Sequence, residues 1–176
     1  MMMDQNSYSD NTNISSDFIG PVLFLDIDGV LNDETFLQRC KSLDQEIDPK
    51  KVSLLNHIIN KTDCRTILSS SWRSQGLNEV QRKLEKVGFN HQLDGCTPLL
   101  EERTPGGIFF AARRGDEIGS WIYAHGGMQT KAVCILDDED VSPLEQHRVP
   151  CSFSKGLTDH EANLAIKKLL RGNFAL

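Results

Sequence analysis

The sequence predicts an α/β fold, a doubly wound, mostly parallel sheet with helices on both faces. Three observations carry that prediction. Short apolar runs at Val22 to Leu25, Arg65 to Leu68 and Ala132 to Leu136 read as strands buried on both faces. Segments with apolar residues at helical spacing separate them. Each run also stops abruptly in polar residues, at Asp26, Ser69 and Asp137.

Residues 1–18 are rich in Asn, Ser and Asp without apolar periodicity, and read as a disordered leader ahead of a single domain over 19–176. The first strand opens into Asp26, Asp28 and Gly29, where the chain turns. Asn32 to Glu46 is polar with isolated Phe36, Leu37 and Leu43, and suits a loop or short helix lying over the strand end as a small lid. Asp48 and Pro49 supply an N-cap and a first-turn proline, and Val52, Leu55, Ile58 and Ile59 share one face of a helix ending near Lys61. The second strand, Arg65 to Leu68, runs into Ser69, Ser70, Ser71, Trp72 and Arg73. Leu77, Val80, Leu84 and Val87 then recur at helical spacing before Gly88, a C-terminal cap.

From Phe89 to Arg113 the pattern is irregular, broken by Pro98, Pro105, Gly106 and Gly107, with a short strand expected within Gly107 to Ala112. Ile118, Trp121 and Ile122 lie on one side of a helix over Glu117 to Ala124 that begins near Arg114 and stops at Gly126 and Gly127. The third strand ends in Asp137, Asp138, Glu139 and Asp140. Arg148 to Phe153 is expected at the sheet edge, because Pro150 has no N–H for a ladder. Thr158 and Glu161 form a capping box for a last helix whose apolar face is Ala162, Ala165, Ile166, Leu169 and Leu170.

Bulk properties exclude several classes. Of the 176 residues, 39% are hydrophobic and 25% charged, enough apolar material for a core. No apolar run approaches bilayer length and the N-terminus lacks signal-peptide features, so a cytoplasmic protein without membrane association is expected. Five cysteines, odd in number and without a C-x-x-C pair, argue against a disulfide framework or a zinc site, and the five histidines lack metal-ligand spacing. A net charge of -6 and a pI near 5.3 oppose broad, nonspecific nucleic-acid binding, which needs a basic surface. Arg103, Arg113 and Arg114 leave room for a local basic cluster.

Right-handed crossovers bring the three polar strand ends to one edge of the sheet. Asp26, Asp28, Asp137 and Asp138 would then concentrate negative charge in one crevice, which calls for a cation or a proton. All-oxygen ligands select a hard ion such as Mg²⁺. An EF-hand is excluded, since its sixth-position glycine would fall on Leu31 or Ser142. A metal among carboxylates, a serine at a strand end and an arginine at a helix start together suit a phosphate group. No G-x-x-x-x-G-K-[ST] loop is present, which argues against a kinase.

The order DIDGVLN, ILSSSWR, an arginine before a helix, then ILDDED resembles the haloacid dehalogenase (HAD) superfamily. SSSWR, DGCTPLL, RRGDEIGSWI, LDDED and the late GLT resemble most closely the phosphatase-like domains of Swiss Army knife RNA-repair proteins, over roughly Val22 to Leu170. The resemblance implies Asp26 as nucleophile and Asp28 as acid and base. It implies Mg²⁺ bound by the carboxylates of Asp26 and of Asp137 or Asp138, with the backbone carbonyl of Asp28. Gly29 would form the turn at the phosphate site. Ser69 would hold the phosphate, with Ser70 competing, and Arg114 would be the basic group of the third motif, with Arg113 or Lys131 as alternatives. Arg73 would also reach the phosphate, and Trp72 would pack rather than stack on a base. About forty residues separate the first two motifs, so the fold would be HAD-like with a minimal cap or none. The implied activity is an Mg²⁺-dependent phosphomonoesterase working through an aspartyl-phosphate, on nucleotide or polynucleotide phosphate ends. A small-metabolite phosphatase and a non-catalytic phosphate- or protein-binding module are the alternatives.

Overall fold

The computed structural model describes residues 20–40, 46–103, 107, 109–125 and 130–172. The three apolar runs form β1 (Pro21–Leu25), β2 (Arg65–Leu68) and β6 (Ala132–Asp137). With β3 (Gly95–Cys96) and β7 (Arg148–Pro150) they make a five-stranded parallel sheet in the order β3-β2-β1-β6-β7. Alternation along the strands splits the core in two. Leu23 and Leu25 face α2 (Pro49–Thr62), α3 (Leu77–Lys86) and α5 (Asp159–Arg171), with Leu55, Leu84 and Ala165 among the buried partners. Val22 and Phe24 face α4 (Arg114–Ala124) through Ile118, Trp121 and Ile122. Full burial of each such large side chain contributes about 1.5–3 kcal/mol. The helices therefore cover both faces, as expected, but unequally.

Helix ends follow their caps. Asp48 accepts from Lys50 N–H at 2.9 Å to start α2, and Thr158 and Glu161 form the expected capping box of α5. Within the stretch expected as a lid, α1 (Glu34–Arg39) is capped by Asp33 and buries none of its residues. Residues 41–45 of that stretch, and the leader at 1–18, lie outside the described residues.

Two local departures have simple causes. The edge strand β7 ends at Pro150, three residues earlier than Phe153. Cys151 N–H still reaches the Asp137 carbonyl at 3.1 Å, but Ser152 then accepts from Lys155 and Gly156 to close a turn. The strand expected within Gly107 to Ala112 is β5 (Phe109–Ala111), and it pairs antiparallel with β4 (Glu101–Arg103), whose Glu-Glu-Arg sequence has no apolar alternation to announce it. Among the described residues this two-stranded ribbon is the only regular structure between β3 and α4, in keeping with a minimal cap or none. All five cysteines are free, and among the described residues no helix is long and apolar enough to cross a membrane.

Candidate active site

The parallel register puts the site together. Leu25 pairs with both Leu68 and Leu136, so the next residues, Ser69, Asp26 and Asp137, form a row across three strand ends. Ser69 N–H donates to the Leu25 carbonyl at 2.9 Å, and Asp26 N–H to the Leu136 carbonyl at 3.0 Å, continuing the ladder into the row. All three residues share the alternation of Phe24, Ile67 and Ile135, the face that α4 covers. The first residue of α4 is Arg114, whose Nη1 lies 3.4 Å from Asp26 Oδ1 and 3.2 Å from Asp137 Oδ2. Gly115 is what lets the helix start there: a Cβ would overlap the backbone carbonyls of Val141 and Ser142, against which the first turn lies flush.

The acids converge. Asp26, Asp137 and Asp138 each offer a carboxylate oxygen, all within 4.8 Å of one another. Burial, reinforced by the charge of Asp26, pushes Asp137 up to about 7, and the same two causes in the same order raise Asp138. Burial works against the charge of Arg114, but Asp26 and Asp137 beside it outweigh that and hold it above its ordinary value. Three acids against one arginine form an all-oxygen donor set with surplus negative charge, which fits a hard cation such as Mg²⁺.

Asp28 departs from that group. Its Oδ1 accepts from Asn32 Nδ2 at 2.8 Å and its Oδ2 from Trp72 Nε1 at 2.9 Å, so its side chain is held beside the acidic cluster rather than within it. Gly29 has φ +68°, and a Cβ there would collide with the Asp138 carboxylate. Its N–H is given to Asn32 Oδ1 at 2.9 Å. Gly29 therefore clears space for Asp138, and its N–H is not a free donor for a phosphate.

The two serines are distinguished by their partners. Ser69 Oγ is fully buried and has no hydrogen-bond partner among the described residues, whereas Ser70 Oγ caps the short 3₁₀ turn Ser71–Gln75 by accepting from Trp72 N–H at 3.3 Å. Thr97, next to Ser69 in register on the far side of β2, carries a second unpartnered buried hydroxyl.

Arg73 requires a correction. Its Nη1 donates to the carbonyls of Ser69 and Ser70, both at 2.6 Å, and its Nη2 donates to the Pro98 carbonyl at 3.5 Å and to Glu117. The terminal nitrogens are thus committed, and Arg73 braces the turn under Ser69 instead of reaching into the crevice. Of the alternatives to Arg114, Arg113 is 69% exposed and paired with Asp116. Lys131 precedes β6 at the opposite end from Asp137, roughly 20 Å away along an extended strand. Trp72 is packed, as expected; its bond to Asp28 and the burial of Glu117 have no counterpart in the sequence pattern.

A family model described as the HAD domain in Swiss Army Knife RNA repair proteins matches residues 22–162, from β1 to the start of α5. No curated protein and no solved structure matches the chain.

Proposed function

The chain belongs to the family of HAD domains found in Swiss Army Knife RNA repair proteins, and from that premise we propose that it is a phosphomonoesterase acting through an aspartyl-phosphate on the phosphate ends of nucleotides or polynucleotides. The observation that carries this reading is the convergence of Asp26, Asp137 and Asp138 under Arg114, one strand away from the unpartnered Ser69 hydroxyl. Asp26 attacks phosphorus. Its oxygen forms the new P–O bond as the bond to the alcohol breaks, and the electron pair departs with the alcohol oxygen, which takes a proton from Asp28. Water then attacks the same phosphorus, Asp28 recovers a proton from it, and the electron pair of the aspartyl P–O bond returns to Asp26 as phosphate leaves. Ser69 Oγ and Arg114 meet the phosphoryl oxygens. Mg²⁺ held by Asp26, Asp137 and Asp138, with the backbone carbonyl of Asp28, would neutralise charge on those oxygens and open phosphorus to a carboxylate.

The polynucleotide part of the reading is supported by the family and by the small size of the added elements among the described residues, a six-residue α1 and the β4–β5 ribbon, which suits a bulky substrate. Free thiols suit the reducing cytoplasm expected from the sequence.

The test is turnover of an aryl phosphate with Mg²⁺, with EDTA, and by Asp26→Asn. We expect the substitution and the chelator each to lower kcat by about 10³-fold or more. Undiminished activity of Asp26→Asn would sink the nucleophile assignment, and no turnover in any sample would favour a binding module. Oligonucleotides carrying 3′- or 5′-phosphates should then be preferred over a panel of small phosphometabolites. Equal rates would leave a metabolite phosphatase.

A further inference from the structure

Both oxygens of the Asp28 carboxylate are held by neutral donors, and each donor is itself fixed. Asn32 is 1% exposed. Besides its bond to Asp28 it donates to the Glu46 carbonyl at 3.0 Å and accepts from Gly29 N–H at 2.9 Å, so its amide has one satisfied orientation. Trp72 is 9% exposed and lies in the 3₁₀ turn that follows Ser70. The Lys83 ammonium stands 4.9 Å over its ring, and also reaches Gln75 at 2.9 Å and the Glu46 carboxylate at 3.6 Å. These contacts close a circuit from Asp28 through Trp72, Lys83, Glu46 and Asn32 back to Asp28. The turn after β1, the turn after β2 and α3 thus all bear on one carboxyl group.

An indole N–H is a donor only, so Trp72 cannot take up the proton that Asp28 handles, yet it fixes the oxygen it bonds. A carboxyl that passes a proton to a leaving oxygen must be aimed to within hydrogen-bond reach of it. A side chain on a turn has no such aim of its own. We infer that Trp72 is the positioning residue for the Asp28 carboxyl, holding Oδ2 while Asn32 holds Oδ1, so that the proton is presented to the leaving alcohol. The assignment rests on the reading of Asp28 as acid and base. The step it serves is the first transfer: the P–O bond to the alcohol breaks, its electron pair moves to the alcohol oxygen, and that oxygen receives the proton from Asp28.

A role in aiming that proton makes a selective prediction. A phenolate such as p-nitrophenolate leaves without a proton, whereas an alkyl alcohol needs one. The measured quantity is kcat/KM, which reports the first transfer, for p-nitrophenyl phosphate and for a simple alkyl phosphate. Trp72→Phe, which keeps an aromatic ring and removes the N–H, is expected to lower the alkyl value by about tenfold or more and the aryl value by less than about threefold. Added to Asp28→Asn, it should cause no further loss, because the group it positions is already gone. Equal losses on both phosphates, or losses that multiply those of Asp28→Asn, would make Trp72 a packing residue and overturn the inference. Should Trp72→Phe fail to fold, Lys83→Met, which removes the ammonium held over the indole ring, carries the test: the alkyl value should fall more than the aryl value, and an unchanged ratio overturns the inference. A wild type that turns over neither substrate would remove the phosphatase reading and this assignment with it. Wild-type turnover with a flat alkyl-to-aryl comparison removes this assignment alone.

Discussion

Arg73 is buried and Arg114 partly exposed; both lie near strand ends and face carboxylates, but the regions around them are built on different terms. Around Arg73 the charges close on themselves: one guanidinium, one carboxylate from Glu117, three backbone carbonyls, and the Leu100 N–H given to the second oxygen of Glu117 at 3.2 Å. Around Arg114 they do not close. One guanidinium faces Asp26 and Asp137, with Asp138 close behind. A cluster whose charges are paired acts as scaffold, even with Arg73 Nε buried without a hydrogen-bond partner, whereas one with an uncompensated charge holds room for a ligand. Residue type does not separate the two; the balance of charged partners does.

The strongest way to break this contrast is Arg73→Met. It would leave Glu117 buried without its partner, and should cost about 3–5 kcal/mol in urea unfolding. A variant that keeps its stability but loses affinity for phosphate would return Arg73 to the ligand side of the comparison. Gly29→Ala comes next. The left-handed backbone penalises it by about 1 kcal/mol, and the added Cβ displaces the Asp138 carboxylate, so the Mg²⁺ concentration needed for half-maximal activity should rise about tenfold. An unchanged requirement would take Asp138 out of the metal site.

The unbalanced region also predicts a dependence on pH. Asp137 keeps its proton to about 7 in the folded protein, because of its burial and then the charge of Asp26, whereas an unfolded aspartate releases it near roughly 3.9. Between those values the folded state binds the extra proton, so the stability this group contributes is complete below the lower value and is lost as pH rises through the upper one. Without metal the melting temperature should therefore be lower at pH 8 than at pH 6, Asp137→Asn should flatten the difference, and Mg²⁺ should raise the melting temperature more at pH 8. A metal-free melting temperature that rises over this range, with Asp137→Asn following the same course, would contradict the surplus charge assigned to the crevice. The smallest effect is expected of Arg113→Ala. Its ion pair with Asp116 is exposed on the arginine side, and losing it should change stability by less than about 0.5 kcal/mol and turnover by less than about twofold. A large loss of turnover would move the basic role from Arg114 to its neighbour.

What could be read in advance follows the range of the interactions. β1, β2 and β6 are legible because strands buried on both faces must be continuously apolar, and their polar ends mark the crevice. α2 and α5 are legible because their caps and apolar faces are local. Asp26, Asp137 and Arg114 sit at ends of such elements, so their convergence follows once the sheet is parallel. The partners of Arg73 are different: Pro98 and Glu117 lie 25 and 44 residues further along the chain. Trp72 likewise finds Asp28 at a distance of 44 residues. No local pattern encodes either contact, and SSSWR reads equally well as a phosphate loop or as a brace. The requirement for Gly115 is hidden for the same reason, since the obstacle is the backbone of Val141 and Ser142. The β4–β5 ribbon is only half legible, because one of its strands is charged.

The row formed by Ser69, Asp26 and Asp137 makes the sheet a ruler, graduated in single residues. Deleting one residue from β1 would leave a strand still apolar enough to fold between its neighbours, yet the residue reaching the row would come from the opposite face, and the Asp26 carboxylate would turn away from Arg114. The strands therefore have almost no freedom in length, while the ribbon between β3 and α4 lies outside the row and its pairings. A redesign that seeks a new substrate has its adjustable part there.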